Sequence, residues 1–189
     1  MPRQAPQIRD AVPEDAADLL ALWAATSRNG VISLRAEDDA RSSLATMAAD
    51  PDQRFLVAEA EGQIVAAMKL SRGPLSPLTL EPAVHSSFLL VHPQFRRHGY
   101  AHALMDVALV WADEKSITQV TAITDTNRET NRFFARLGLT TLGTVRHASV
   151  LSLRKKLATE RGHAGARNRQ HLVEVLAQRR SMRRRQETA

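Results

Sequence analysis

The chain contains no cysteine. Disulfides, thiolate nucleophiles and cysteine-bound zinc are therefore excluded. The absence is compatible with a reducing compartment, and the cytoplasm is the expected location. Aromatic residues make up only 4% of the chain, with two tryptophans and a single tyrosine, Tyr100. Phenolic acid–base chemistry thus has one candidate. No stretch approaches the roughly eighteen consecutive apolar residues that mark a membrane-crossing helix. The opening MPRQAPQIRD also lacks the apolar run of a secretory signal. A soluble chain with no membrane partner is the expectation.

What is present is enough for one domain with a sizeable core, since the chain has 189 residues. The net charge of +6 is unevenly spread. Met1–Leu153 holds 15 Lys and Arg against 17 Asp and Glu, whereas Arg154–Ala189 holds 11 against 3. A claim about anionic partners must rest on the tail alone.

Periodicity and turn chemistry give a coarse map. Gln7–Asp10 reads as a strand. Pro13 suits a helix start, and Ala16, Leu19, Leu20 and Trp23 fall at helical spacing. A second helix is expected over Ala36–Ala49. Arg54–Ala60 and Gln63–Ser71 read as strands joined by the tight turn Glu61-Gly62, and Arg72–Pro82, with a glycine and three prolines, reads as a loop. Ala83–Val91 is a strand whose apolar end, Phe88–Val91, predicts burial on both faces. A helix over Gly99–Lys115, a strand over Gln119–Thr124 and a helix started by the capping box Thr126-x-x-Glu129 and stopped by Gly138 follow. Leu139–Val145 and Ala148–Leu153 read as a closing hairpin. Lys155–Arg167 is expected to be irregular, and His171–Arg185 to form a basic helix. The alternation of strands and helices predicts an α/β domain with a mixed sheet.

The chemistry-bearing segment is His92-Pro93-Gln94-Phe95-Arg96-Arg97-His98-Gly99-Tyr100-Ala101. An apolar strand runs into a short turn and then a helix. A helix start presents unpaired N–H groups and a partial positive charge, which together attract an anion. Gly99 permits close backbone approach, Ala101 keeps the first turn uncrowded, and Arg96 and Arg97 add charge suited to phosphate. His98 and His102 are four apart, but no third ligand is evident and no metal is expected.

Leu89–Leu104 resembles the acetyl-CoA-binding motif of the GNAT acetyltransferase superfamily. Asn127, Phe134 and Gly138 resemble, in order and spacing, that superfamily's helix after strand five, and Ile8–Asp15 resembles the start of many members. The resemblance spans Gln7 to Arg154. It implies a mixed, mostly antiparallel central sheet flanked by helices and splayed between strands 4 and 5. It further implies that backbone amides of Arg96, Arg97, His98, Gly99, Tyr100 and Ala101 hold the pyrophosphate of acetyl-CoA. Leu89, Leu90 and Val91 would offer backbone groups to the pantetheine and acetyl carbonyl, with Asn127 near the pantetheine arm and Phe134 near the thiol. Acetyl-CoA then serves as cosubstrate, and an amine attacks its thioester directly.

Such an amine must be neutral when it attacks, so a base is needed. His85 lies eleven residues before Arg96, an offset at which some histone-modifying members carry a glutamate base, and histidine titrates near neutrality. The other reading is a half-buried histidine bonded to Ser86 or Ser87. The acid departs from the pattern: members usually carry a tyrosine where this chain has Phe134, and phenylalanine donates no proton. The acceptor is a small-molecule or peptide amine left unnamed. The candidate acceptor stretches Thr26–Arg35 and Arg146–Ser149, with Asn29, Ser33, Arg35 and His147, are not markedly acidic, so nothing points to a polycationic substrate. The expected division is an acetyltransferase domain over 1–154 and a basic extension over 155–189, partly helical or disordered. Three functions stay open: an N-acetyltransferase, a CoA-binding protein with little catalysis, and a nucleic-acid-associated protein acting through the tail. A second copy of the chain is also among the partners left open.

Overall fold

The computed structural model describes residues 6–26, 37–124, 128–143, 146 and 148–159. Met1–Leu142 and Gly143–Ala189 form separate units. In the first, five strands lie side by side in chain order: β1 (Gln7–Asp10), β2 (Gln53–Ala60), β3 (Gln63–Pro74), β4 (Pro82–Val91) and β5 (Gln119–Ala122). The first four pair antiparallel and β5 pairs parallel to β4. This is the mixed, mostly antiparallel sheet that the resemblance implied. Glu61 and Gly62, both at positive φ, make the tight β2–β3 turn. A parallel strand needs a crossover, and helix α3 (Tyr100–Asp113) supplies it.

Helices cover both faces because side chains alternate along each strand. Leu56, Met68, Leu70 and Val84 pack with Leu104, Ala108 and Trp111 of α3 and with Phe133 and Phe134 of α4 (Arg128–Arg136). On the other face Val57 and Ala67 pack with Leu19 and Leu22 of α1 (Ala16–Thr26) and Leu44 of α2 (Glu37–Ala48). Leu56, Met68, Leu70 and Leu104 are fully buried. Truncating any one to alanine would cost about 2–5 kcal/mol, a large share of a domain's ~5–15 kcal/mol. At the entry to α1, Arg9 bonds Asp15 at 2.6 Å and, through Nε, Glu59 at 2.8 Å. Asp15 also accepts the Val12 N–H at 2.8 Å, which caps the 3₁₀ turn leading into α1. Among the described residues no helix is long and apolar enough to cross a membrane.

Several local expectations are corrected. The loop expected over Arg72–Pro82 shrinks to the tip between Pro74 and Pro82, which face each other at the strand ends where no ladder N–H is needed. Arg72 stays in the strand because its guanidinium lies 3.9 Å over the Trp111 ring and bonds Glu114 at 2.8 Å. The buried stripe of α1 is Ala16, Leu19 and Leu22; Trp23 turns aside to stack on Phe88 at 5.2 Å. The closing hairpin is not formed as expected. Residues 139–143 have no regular structure, and in the second unit residues 150–159 are helical. Ser149 caps that helix, its Oγ accepting the Ser152 N–H at 3.2 Å. Val150, Leu153 and Leu157 fall at helical rather than strand spacing. The segment expected to be irregular over Lys155–Arg167 is helical over 155–159; its remainder and the basic helix expected over His171–Arg185 lie outside the described residues.

Candidate functional site

The site is built where β5 stops. β4 and β5 pair only from Ala83–Gln119 to Ser86–Ala122, and the Ile123 N–H closes the ladder on the Ser86 carbonyl at 2.8 Å. Among the described residues the rest of β4 has no strand neighbour on the β5 side beyond that point. Its apolar end is therefore not buried on both faces as expected: Phe88 is 39% exposed, and Leu89, Leu90 and Val91 are half-buried. A bulge falls in the same place. Phe88 and Leu89 together oppose Met68, and Phe88 takes φ 54°, a left-handed value that non-glycine residues rarely adopt. Leu89 and Val91 face α3, whereas Leu90 faces α1 and α2. The splay thus leaves free backbone edge and half-buried apolar surface side by side.

The loop after β4 has the backbone form of an anion cradle. Arg97 (φ 63°) and Gly99 (φ 93°) are both left-handed, the conformation found in backbone nests that bind anions. Among the described residues the N–H groups from Arg96 to His102 find no protein acceptor, and the first bond inward runs from Ala103 to the Gly99 carbonyl at 3.0 Å. Gly99 is the N-cap of α3, and a Cβ built there would meet nothing within 4 Å, so space lies open at the helix mouth. Arg96 is held by Glu129 at 2.8 Å, which ties the loop to α4. His98 folds back on the Arg96 carbonyl at 2.7 Å, and His102 packs edge-on against Phe133 at 5.0 Å. Tyr100 packs edge-on against Phe95 at 6.3 Å.

His85 sits on β4, three residues before the bulge, on the α1/α2 side of the sheet. Its partner is neither Ser86 nor Ser87. Its Nδ1 lies 2.7 Å from Thr121 Oγ1 on β5, and its Nε2 faces Gly73. Ser86, fully buried on the opposite side, donates to the Thr121 carbonyl at 3.1 Å. Thr121 is thus gripped from both faces at the last rungs before the strands part. Phe134 is buried in the α3/α4 core, 5.2 Å from the Phe133 ring. Asn127, Asp125, Asn29, Ser33, Arg35 and His147 lie outside the described residues, as does Thr126 of the capping box. The loop follows the splayed end of β4 directly in the chain, Phe134 lies on the α3 side of the sheet, and His85 lies on the α1/α2 side.

Sequence reasoning overlooked Thr121, the Trp23–Phe88 stack and Lys69. The alternation Met68-Lys69-Leu70-Ser71, with the apolar members facing α3, carried the signal for Lys69. Nothing local announced the other two, whose partners are distant in the chain.

Residues 18–139 match the acetyltransferase (GNAT) family. No curated protein is similar enough to count as a match. Among solved structures, the chain is similar to a transcriptional regulator from Bacillus halodurans C-125, at 16% identity over 76% of this chain and 99% of that one, TM-score 0.64. It is also similar to an aminoglycoside N-acetyltransferase, AAC(6')-Iy, solved in complex with CoA (18% identity, 79% and 97% covered, TM-score 0.63). A third is a ribosomal-protein-alanine N-acetyltransferase from Brucella melitensis biovar Abortus 2308 (21% identity, 77% and 99% covered, TM-score 0.59). At these identities the likeness speaks to the fold.

Proposed function

The chain belongs to the acetyltransferase (GNAT) family, and from that premise we propose that it moves the acetyl group of acetyl-CoA to an amine by direct attack on the thioester. The observation that carries the reading is the run of N–H groups from Arg96 to His102 at the open mouth of α3, without a protein acceptor among the described residues, beside a strand end that no described strand pairs. Acetyl-CoA fits this pair of features. Its pyrophosphate suits the left-handed cradle of Arg97 to Ala101, and its pantetheine suits the free edge of Leu89 to Val91. When bound, it supplies an activated acyl carbonyl. The residues of the chain bind and orient it, and His85 accepts the proton that the amine loses as its nitrogen bonds the acyl carbon and CoA thiolate departs. Thr121 Oγ1 lies 2.7 Å from His85 Nδ1, and with Nδ1 as the donor of that bond Nε2 is the ring nitrogen that takes the proton. Phe134 offers no proton to the thiolate. A thiol ionises near pH 8.5, so thiolate leaves acceptably without a dedicated acid. In this reading residues 1–154 form the transferase domain, 155–189 extend it, and the chain works in the cytoplasm.

The test is release of free CoA thiol across an amine panel, run beside a thermal shift with acetyl-CoA. Stabilisation by acetyl-CoA together with amine-dependent thiol release is expected. Stabilisation without release by any amine would make this a CoA-binding protein. No stabilisation at millimolar acetyl-CoA would remove both readings.

A further inference from the structure

The face of the sheet that carries α1 and α2 is apolar only in part. Its apolar patch, Val57 and Ala67 with Leu90 and Phe55 at its edge, is covered by the helices. Next to it runs a strip of half-buried polar side chains: Lys69 and Ser71 on β3, Ser87 and His85 on β4, and Thr121 on β5. Register makes the strip continuous, since Lys69 pairs with Ser87, Ser71 with His85 and His85 with Thr121. All five share one face, because they alternate with Met68, Leu70, Val84, Val120 and Ala122, which face α3. The Trp23–Phe88 stack bounds the strip where β4 becomes free.

Lys69 stands apart from the other cations of the sheet. Arg9 is bound by Asp15 at 2.6 Å, Arg54 by Asp10 at 2.8 Å and Arg72 by Glu114 at 2.8 Å. Lys69 has no acid at ion-pair distance among the described residues. Asp50 lies within range of its field. That carboxylate, however, is exposed, already accepts from Gln53 at 2.7 Å and takes the Asp52 N–H at 2.9 Å. A half-buried ammonium without a partner is costly unless something anionic visits it. In a paired antiparallel register, Lys69 and Ser87 have Cα atoms about 5 Å apart. Lys69 is therefore one residue from the bulge at which the strand end opens.

We infer that this strip is the acceptor subsite, and that it takes an amine which also carries an anionic group, a carboxylate or a phosphate, held by Lys69. The inference rests on the transferase reading and deepens it. The anion anchors on Lys69 while the amine lies across Ser87, with His85 on one side of it and the free end of β4 on the other. The Trp23–Phe88 stack walls off the apolar side.

The test is calorimetric binding to the full chain saturated with CoA, using phosphoethanolamine against ethanolamine and glycine against methylamine. At least one anionic ligand should bind ten times tighter than its partner, a margin of about 1.4 kcal/mol. Lys69→Met should erase the margin and leave the affinity for CoA unchanged. Added salt should shrink it. A preference confined to the first pair assigns phosphate, and one confined to the second assigns carboxylate. Equal or undetectable binding within both pairs overturns the inference, and so does a margin that survives Lys69→Met. Failure of CoA itself to bind in the same titrations would instead sink the acetyl-CoA reading.

Discussion

Replacing Gly99 with alanine separates two roles that one residue combines. Gly99 sits at φ 93°, where a side chain is strained, yet a Cβ there meets no protein atom within 4 Å. The left-handed backbone costs an alanine about 1–2 kcal/mol. Loss of unfolded-state freedom returns about 0.4–1 kcal/mol. The net is roughly 1 kcal/mol, which for a chain of this size lowers the melting temperature by about 2–4 °C. Because no protein atom crowds the methyl group, any further effect must come from a ligand that needs the same space. If pyrophosphate lies on the cradle, acetyl-CoA affinity should fall at least tenfold, or about 1.4 kcal/mol. Gly138 is a matched control: its φ is 87°, its Cβ position is equally empty, and it lies beyond the C-terminus of α4. Gly138→Ala should show a similar melting shift with acetyl-CoA affinity intact. Thermal melts with and without acetyl-CoA, plus a calorimetric titration, measure both quantities. Equal acetyl-CoA affinity in the wild type and both variants would refute the placement of the pyrophosphate.

Other consequences follow from single contacts. His85→Ala should lower kcat/KM by about 100-fold at pH values below the pKa of the acceptor amine, and much less above it, where the amine is already neutral; an unaltered pH–rate profile would remove His85 from proton transfer. The Asp15 carboxyl is held below its ordinary range, first by the hydrogen bond from Arg9 and then by the Val12 N–H. Its contribution to stability is therefore complete above the unfolded value of about 3.9 and is lost as pH falls through the lower folded value. Asp15→Asn should cost about 1–3 kcal/mol near pH 7 and flatten the acid limb below about pH 4, as read by urea unfolding across pH; a parallel pair of acid limbs would contradict this. Glu129→Gln frees Arg96 from an exposed ion pair, so stability should change by less than about 1 kcal/mol. Acetyl-CoA affinity should rise a few-fold at low salt and return to the wild-type value at high salt, and a fall in affinity would mean that Glu129 positions the loop rather than competing for Arg96.

The lesson of the site is one of range. The proposed anion cradle lies within consecutive residues, so its parts are readable in a row: an apolar strand, a turn, Gly99 and an amphipathic helix. The closing hairpin was misread for the same local reason, because Ala148–Leu153 is short and apolar enough to fit either period. Only the continuation Arg154–Thr159, rich in helix formers, tips it to helix. His85 is a candidate by its offset, but its partner is not legible in the sequence, since Thr121 is brought beside it by strand pairing 36 residues on.

By itself the sequence determined most of the elements before residue 139, the two-faced alternation of the strands, and a turn at Gly99 that suits an anion at the head of α3. These are short-range matters of dihedral preference, side-chain period and turn chemistry. Tertiary structure alone decided that β5 ends at Ala122 while β4 runs on to Val91, so that a strand end is left free. It alone decided that Trp23 stacks on Phe88, and that Lys69, His85 and Thr121 share one face as a continuous strip. Register is set by where distant strands meet and by which face each helix covers, and no window of local sequence contains that information.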